Sequence, residues 1–225
     1  MGRKTLVISP HLDDAVFGCG EWIAAHPGAR VLTVFAGVPP EAHTLTEWDA
    51  ACGFASAGQA VAARRGEDRA ALELLGATPA WLAFCDDQYR AHAPADGCAV
   101  AGELRRALIE HDPQAVVVPF GLFHRDHRLA HEAALAALPE HAGRSWYAYE
   151  DALYRCMPRL LQERLLLLSL AGIAATPLPP QAADGSLKRR AVQCYASQLR
   201  GLSSPGRPGH ADALSPERLW RLARQ

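Results

Sequence analysis

Neither sign of charge is in excess: 23 Lys and Arg stand against 24 Asp and Glu, a formal net charge of -1. The two signs are intermixed along the chain, which removes the electrostatic case for nucleic acid or an anionic membrane surface as the main partner. A small or neutral substrate fits better. Paired cysteine motifs are also missing. Cys19, Cys52, Cys85, Cys98, Cys156 and Cys194 lie far apart with no C-x-x-C; a chain of 225 residues needs no disulfide for stability, and mostly buried thiols are expected. The most apolar run, Leu165 to Ala175, ends at Arg164 on one side and at Pro177, Pro179 and Pro180 on the other. It is too short to span a bilayer. The first strand begins within a few residues of Met1, leaving no room for a signal peptide. A soluble, cytoplasmic protein without stable membrane insertion is therefore expected. No repeat and no linker divides the chain, so one domain over 1–225 is expected. No G-x-S-x-G elbow supports a serine hydrolase. Gly18-Cys19-Gly20 falls short of a dinucleotide fingerprint, because Ile23 takes the third glycine position and the glycines lie inside an expected helix.

What is present is an alternation of β-branched runs with amphipathic segments. Residues 4–9 and Val31–Phe35 read as strands around a helix from Asp14 to His26. This β-α-β unit implies a parallel, right-handed crossover. An Ala-rich helix from about Thr46 to Gly76 follows, then a strand at Trp81–Phe84. Next come a helix from Val100 to His111, stopped by Asp112-Pro113, the strand Ala115–Pro119, and a helix from about Leu129 to Leu138. An aromatic segment, Trp146–Tyr149, precedes Glu150-Asp151. A helix from Ala183-Asp184-Gly185-Ser186 to about Leu199 and a last helix from Ser215 are expected, with Gly201 to Gly209 as a loop able to act as a lid. The pattern predicts an α/β, Rossmann-like doubly wound and mainly parallel sheet with helices on both faces.

In such a sheet every strand's carboxyl end lies along one edge, where ligands sit. His11-Leu12-Asp13-Asp14, Asp86-Asp87 and His124-Arg125-Asp126-His127 each follow a strand. A catalytic zinc commonly takes three protein ligands and leaves a position for water; His11, Asp14 and His127 supply two imidazoles and a carboxylate. Asp13 is then the candidate general base. His124 is placed to donate to a developing oxyanion or to protonate a leaving amine, and Asp126 to fix the tautomer of an imidazole. The plainer alternatives are that Asp13 or Asp14 caps the next helix and that Asp86 and Asp87 cap a loop. His131, one turn beyond His127, is the competing ligand on that helix, disfavoured because His127 lies nearer the strand end.

Ser9-Pro10-His11-Leu12-Asp13-Asp14 together with His124-Arg125-Asp126-His127 resembles the two signature motifs, P-H-P-D-D-E and H-x-D-H, of the PIG-L (LmbE-like) zinc-dependent N-acetylglucosamine deacetylases. Arg64-x-x-Glu67, Cys85 to Arg90, Tyr149-Glu150-Asp151 and Lys188 to Leu199 are similar to further family segments, so the resemblance covers most of the chain. It implies removal of the N-acetyl group from a small-molecule amino-sugar conjugate, releasing acetate and a free amine. By motif match it implies His11, Asp14 and His127 as ligands of Zn2+, with Fe2+ or another divalent metal also accommodated by such ligands. Asp13 would be the base, His124 the oxyanion stabiliser oriented by Asp126, and Arg64 and Asp86 would hold sugar hydroxyls. Leu12 and Ala15 depart from the family's Pro and Glu; neither removes a ligand or the base. Two other readings stay open: a zinc amidohydrolase of a non-sugar amide, and a catalytically silent sugar- or nucleotide-binding protein.

Overall fold

The computed structural model describes residues 4–90, 93–141, 143–180 and 185–225. In chain order the strands are β1 (Thr5–Ser9), β2 (Arg30–Thr33), β3 (Thr78–Trp81), β4 (Ala115–Pro119), β5 (Ser145–Tyr149), β6 (Ile173–Pro177) and β7 (Leu219–Arg224). The helices are α1 (Asp14–Ala24), α2 (Glu47–Ala51), α3 (Ala57–Leu74), α4 (Gly97–His111), α5 (Arg125–Leu135), α6 (Leu160–Leu170), α7 (Ser186–Cys194) and α8 (Ala196–Leu202). The described strands form one sheet in the order β3-β2-β1-β4-β5-β7-β6. The neighbours from β3 to β5 are parallel, and β7 pairs antiparallel with both β5 and β6.

Side chains alternate across a strand, and this alternation divides the core. Leu6 and Ile8 of β1 and Val116 and Val118 of β4 pack with Leu104, Leu108, Ala130 and Ala134 of α4 and α5. Val7 and Val117 face the other way, onto Phe17 and Ile23 of α1, Leu72 of α3 and Val192 of α7. The central strands are buried throughout, so helices cover both faces, as a parallel sheet requires. Chain order reverses direction at β1, with β2 on one side and β4 on the other. Their carboxyl ends open the crevice in which ligands of doubly wound sheets bind.

Several sequence-based boundaries move. The helix expected over 46–76 is two helices, separated at residues 52–56, where Ser56 starts α3 by accepting from Gln59 N–H. The third strand lies earlier than Trp81–Phe84, because Thr78 to Trp81 are the residues registered against β2; only Phe35 and Ala83 form a bridge beyond it. The helix expected at Leu129 starts at Arg125 and ends at Leu135. The apolar run 165–175 is broken at Gly172, whose φ of +70° closes α6 before β6 begins. The helix expected to reach Leu199 breaks at Tyr195 into α7 and α8; Ala183 and Asp184 lie outside the described residues. The residues after Ser215 lead into strand β7 and not a helix, since Leu219 to Arg224 fill the gap between β5 and β6 and satisfy the backbone of both. Cys19 and Cys52 are buried, but Cys98 and Cys156 are exposed; all six are free thiols. Among the described residues no helix is long and apolar enough to cross a membrane.

Candidate metal centre

The turn after β1 is built by Ser9, not by the aspartates. Ser9 Oγ donates to the His11 carbonyl at 2.7 Å and accepts from Ala15 N–H at 3.0 Å, which supplies an acceptor to the start of α1. Asp13 occupies the N-cap position with no side-chain capping bond. The capping alternative therefore fails for Asp13. Asp14 turns back instead: its Oδ2 accepts from His11 N–H at 2.8 Å and lies 3.1 Å from His11 Nδ1. The same oxygen lies 3.1 Å from His127 Nε2.

The other nitrogen of each imidazole meets a second carboxylate. His11 Nε2 is 3.1 Å from Asp126 Oδ2, and His127 Nδ1 is 2.6 Å from Asp151 Oδ1. Asp126 is held in turn by the Asp87 N–H at 2.9 Å and by Arg90 Nη2 at 2.5 Å, and Asp151 by the Leu122 N–H at 3.0 Å. Carboxylates behind metal-binding imidazoles fix the tautomer and raise ligand basicity. Burial opposes a charge on His127, but Asp14 and Asp151 outweigh it and raise its pKa to about 9. Burial likewise works against charge on His11, yet Asp86, Asp126 and Asp14 hold its pKa well above the ordinary value. Asp14 stays well below the carboxylate range despite desolvation, because His127 and His11 surround it.

Two imidazoles and one carboxylate thus converge with positive charge drawn between them, the demand that a divalent cation meets. Ligand atoms of a tetrahedral ion, each about 2.0–2.1 Å from it, stand roughly 3.3 Å apart. The two 3.1 Å edges at Asp14 are close to that spacing, so the residues present fit such an ion. His11, His124 and His127 form one cluster of ligand atoms within 4.8 Å, and His11, Asp86 and Asp126 another.

His124 sits at the N-cap of α5, its Nδ1 accepting from the Asp126 N–H at 3.2 Å. Its ring lies 5.1 Å from that of His11 and 5.6 Å from that of His127. Burial and those two imidazoles lower its pKa to about 4. It is therefore neutral near pH 7, with Nε2 carrying the proton. The expectation that Asp126 orients His124 is met by the backbone only; the Asp126 carboxylate serves His11. Asp13 is pushed up to about 8 by burial and then by the adjacent Asp14.

These groups form the floor of a cavity of about 670 Å³, whose walls include Trp48, Phe123, Tyr154 and Arg207. Arg64 and Asp86 line it as well. Arg64 is nevertheless committed elsewhere: its Nη2 is 2.8 Å from the buried Asp49, which also accepts from Tyr89 OH at 2.8 Å. The structure keeps Arg64 in the cavity lining with one edge of its guanidinium on Asp49. Asp86 Oδ1 stands 3.9 Å from His11 Nε2, while the carboxylate also accepts from the Gln88 N–H and Nε2. Its loop-capping reading and its cavity position coexist. His131 is remote in role, its Nδ1 donating to the Pro119 carbonyl at 2.8 Å. Sequence reasoning missed Asp151 as a partner of His127. The available signal was its place just past the end of β5, beside β4 in the same sheet edge.

Comparison with known proteins places the chain among deacetylases. Residues 6–138 match the family model described as PIG-L: GlcNAc-PI de-N-acetylase. A 2'-N-acetylparomamine deacetylase of Streptomyces fradiae is 29% identical over 219 residues, covering 87% of this chain and 73% of that protein. A deacetylase of the teicoplanin biosynthesis pathway superposes with a TM-score of 0.78 at 27% identity, over 99% of this chain and 98% of that one. The zinc-inhibited form of teicoplanin deacetylase superposes at 0.76 with 26% identity and the same coverage.

Proposed function

We propose, from the premise that this chain belongs to the PIG-L family, that it is a metal-dependent hydrolase removing the N-acetyl group from an N-acetylglucosamine-type conjugate. The observation that carries this reading is the pair of imidazoles facing Asp14 on one side and Asp126 and Asp151 on the other, on the floor of a cavity large enough for an amino sugar. The relatives named as deacetylases of amino-sugar and glycopeptide compounds support the substrate class.

His11, Asp14 and His127 would hold the ion, through His11 Nδ1 and His127 Nε2. When bound, zinc or ferrous iron supplies Lewis acidity that polarises the acetyl carbonyl and acidifies a water. Asp13, beside the ligands yet unused in capping, accepts the proton of the attacking water and returns it to the departing amine. His124 donates from Nε2 to the oxygen that gains negative charge, a role its neutral tautomer suits. Asp126 and Asp151 keep the ligand imidazoles oriented, and Arg90 anchors Asp126. Arg64 shapes the wall through Asp49 and Tyr89, and Asp86 faces the sugar.

Stripping the protein with a chelator, then reloading it with zinc, ferrous or cobalt ions, tests the reading by acetate release from N-acetylglucosamine conjugates. Activity that disappears with the metal and returns with it is expected. Hydrolysis undiminished in the stripped protein would contradict it.

A further inference from the structure

The floor of the cavity carries Asp13, Asp14, Asp86 and Asp87 beside His11, His124 and His127. Two guanidinium groups also line it, and their circumstances differ. Arg64 is buried and neutralised by Asp49 at 2.8 Å. Arg207 is exposed at the rim, and among the described residues it has no carboxylate within salt-bridge distance. Its guanidinium carbon instead lies over the Trp48 ring, 5.2 Å from the centroid.

The backbone holds Arg207 in that place. α8 presses on the same indole: a Cβ on Gly201 would stand 2.8 Å from Trp48 Cη2 and 2.6 Å from Cys52 Sγ, so only glycine allows the approach. Beyond α8 the chain turns at once, with Ser204 N–H donating to the Gly201 carbonyl at 3.1 Å and Arg207 N–H to Ser204 at 3.2 Å. Gly209 N–H then donates to the Leu202 carbonyl at 3.0 Å, closing the loop on itself. Gly206 and Gly209 supply the positive φ values of +80° and +74° that this tight return needs. The loop delivers one unpaired cation onto an aromatic platform at the cavity mouth.

A guanidinium stacked on an indole keeps its N–H edge free for an oxyanion. Other exposed residues of the cavity wall are apolar, with Phe123 about half exposed and Met157 exposed as well. The carboxylates of the floor are matched by His11, His127 and Arg90, whereas the cation at the mouth has no such partner, so the rim is where a substrate's negative group finds one. We propose that Arg207, seated on Trp48, selects conjugates whose aglycone carries an anionic oxygen group on an apolar or aromatic body. The proposal rests on the deacetylase reading and narrows its substrate class.

The test compares benzyl and 4-carboxybenzyl glycosides of N-acetylglucosamine with the metal-loaded wild type, Arg207→Gln and Arg207→Glu. Acetate release gives kcat and KM, and calorimetric titration of the Asp13→Asn protein gives binding of the same pair. Wild type is expected to favour the carboxylated conjugate by about tenfold in KM, with kcat little affected; Arg207→Gln brings the ratio near one, and Arg207→Glu inverts it. A merely structural role for Arg207 would weaken both conjugates alike and leave the ratio unchanged. Acetate release with no preference in wild type, or with the preference kept in Arg207→Gln, overturns this proposal alone. Binding that favours the carboxylate without acetate release overturns the deacetylase reading alone, and absence of both binding and release overturns both.

Discussion

Asp151 Oδ1 lies 2.6 Å from His127 Nδ1, and both residues are buried. The contact joins the end of β5 to the first turn of α5 and leaves His127 Nε2 aimed at Asp14. Replacing Asp151 by Asn keeps an acceptor of similar shape but removes the charge that makes the imidazole a stronger donor. Metal affinity should fall by roughly 10–100-fold, the usual effect of losing such a partner. Competition against a chromophoric chelator measures it; unchanged affinity would show that Asp151 does not act through His127.

The buried pair Lys188 and Glu217, 2.9 Å apart, should be a principal support of the fold around α1. α1 bends at Cys19, where φ is -147° and ψ 34°, and the Glu217 carboxylate accepts from Glu21 N–H at 2.7 Å and Trp22 N–H at 3.0 Å just past the bend. Glu217→Ala strands a buried ammonium and two amides, and should cost about 3–5 kcal/mol. The double change Lys188→Met with Glu217→Gln removes the orphaned charge and should recover much of that loss. Denaturant unfolding of both variants decides; a double variant no better than the single would contradict the pairing argument.

Stability should also fall on mild acidification because of His131. Burial, helped by the nearby Arg164, lowers its pKa to about 3 from 6.5. Its Nδ1 donates to the Pro119 carbonyl, while Nε2 has no hydrogen-bond partner. Between pH 6.5 and about 3 the unfolded chain takes up a proton that the folded chain refuses. The stability present above pH 6.5 is therefore lost progressively down to about pH 3. His131→Gln should reduce the slope of unfolding free energy against pH in this window by about one proton. An identical slope in the variant would remove His131 from the account.

Gly18 should tolerate no side chain. A Cβ there would stand 2.4 Å from Cδ2 of Tyr149, a buried ring whose hydroxyl donates to the Ile8 carbonyl at 3.1 Å. Gly18→Ala is expected to cost about 1–3 kcal/mol as overpacking. A melting temperature unchanged from wild type would contradict this. The glycine that invited comparison with a nucleotide loop is thus explained by helix-to-sheet packing.

Much of the site was legible because its chemistry is local to strand ends. The apolar runs of β1 and β4 placed His11, Asp13, Asp14 and His127 on one edge, and the structure brings their atoms together. Partners that depend on which strands are neighbours were not legible. Asp151 meets His127 only because β5 lies beside β4, and Arg90 meets Asp126 only because the loop after β3 folds over the edge. The pairing of Arg64 with Asp49 was not legible either, because nothing in the sequence links Arg64 to a residue fifteen positions earlier in a separate helix. The terminal strand was hidden for a similar reason: Leu219 to Arg224 have no clean alternation, and their state is decided by the unpaired edges of β5 and β6. Helix breaks at Gly172 and Tyr195 turn on single backbone angles, which apolar periodicity does not report.

The central claim is that His11, Asp14 and His127 hold a divalent ion while Asp13 handles the proton. Bound metal and acetate release, measured in parallel on wild type, His11→Ala and Asp13→Ala with one N-acetylglucosamine conjugate, test it most directly. Wild type should carry one ion and release acetate, and His11→Ala should lose both the ion and the activity. Asp13→Ala should keep the ion while losing at least about 100-fold in rate. An Asp13→Ala protein as fast as wild type, or a His11→Ala protein that still binds the ion with full affinity, would contradict the account.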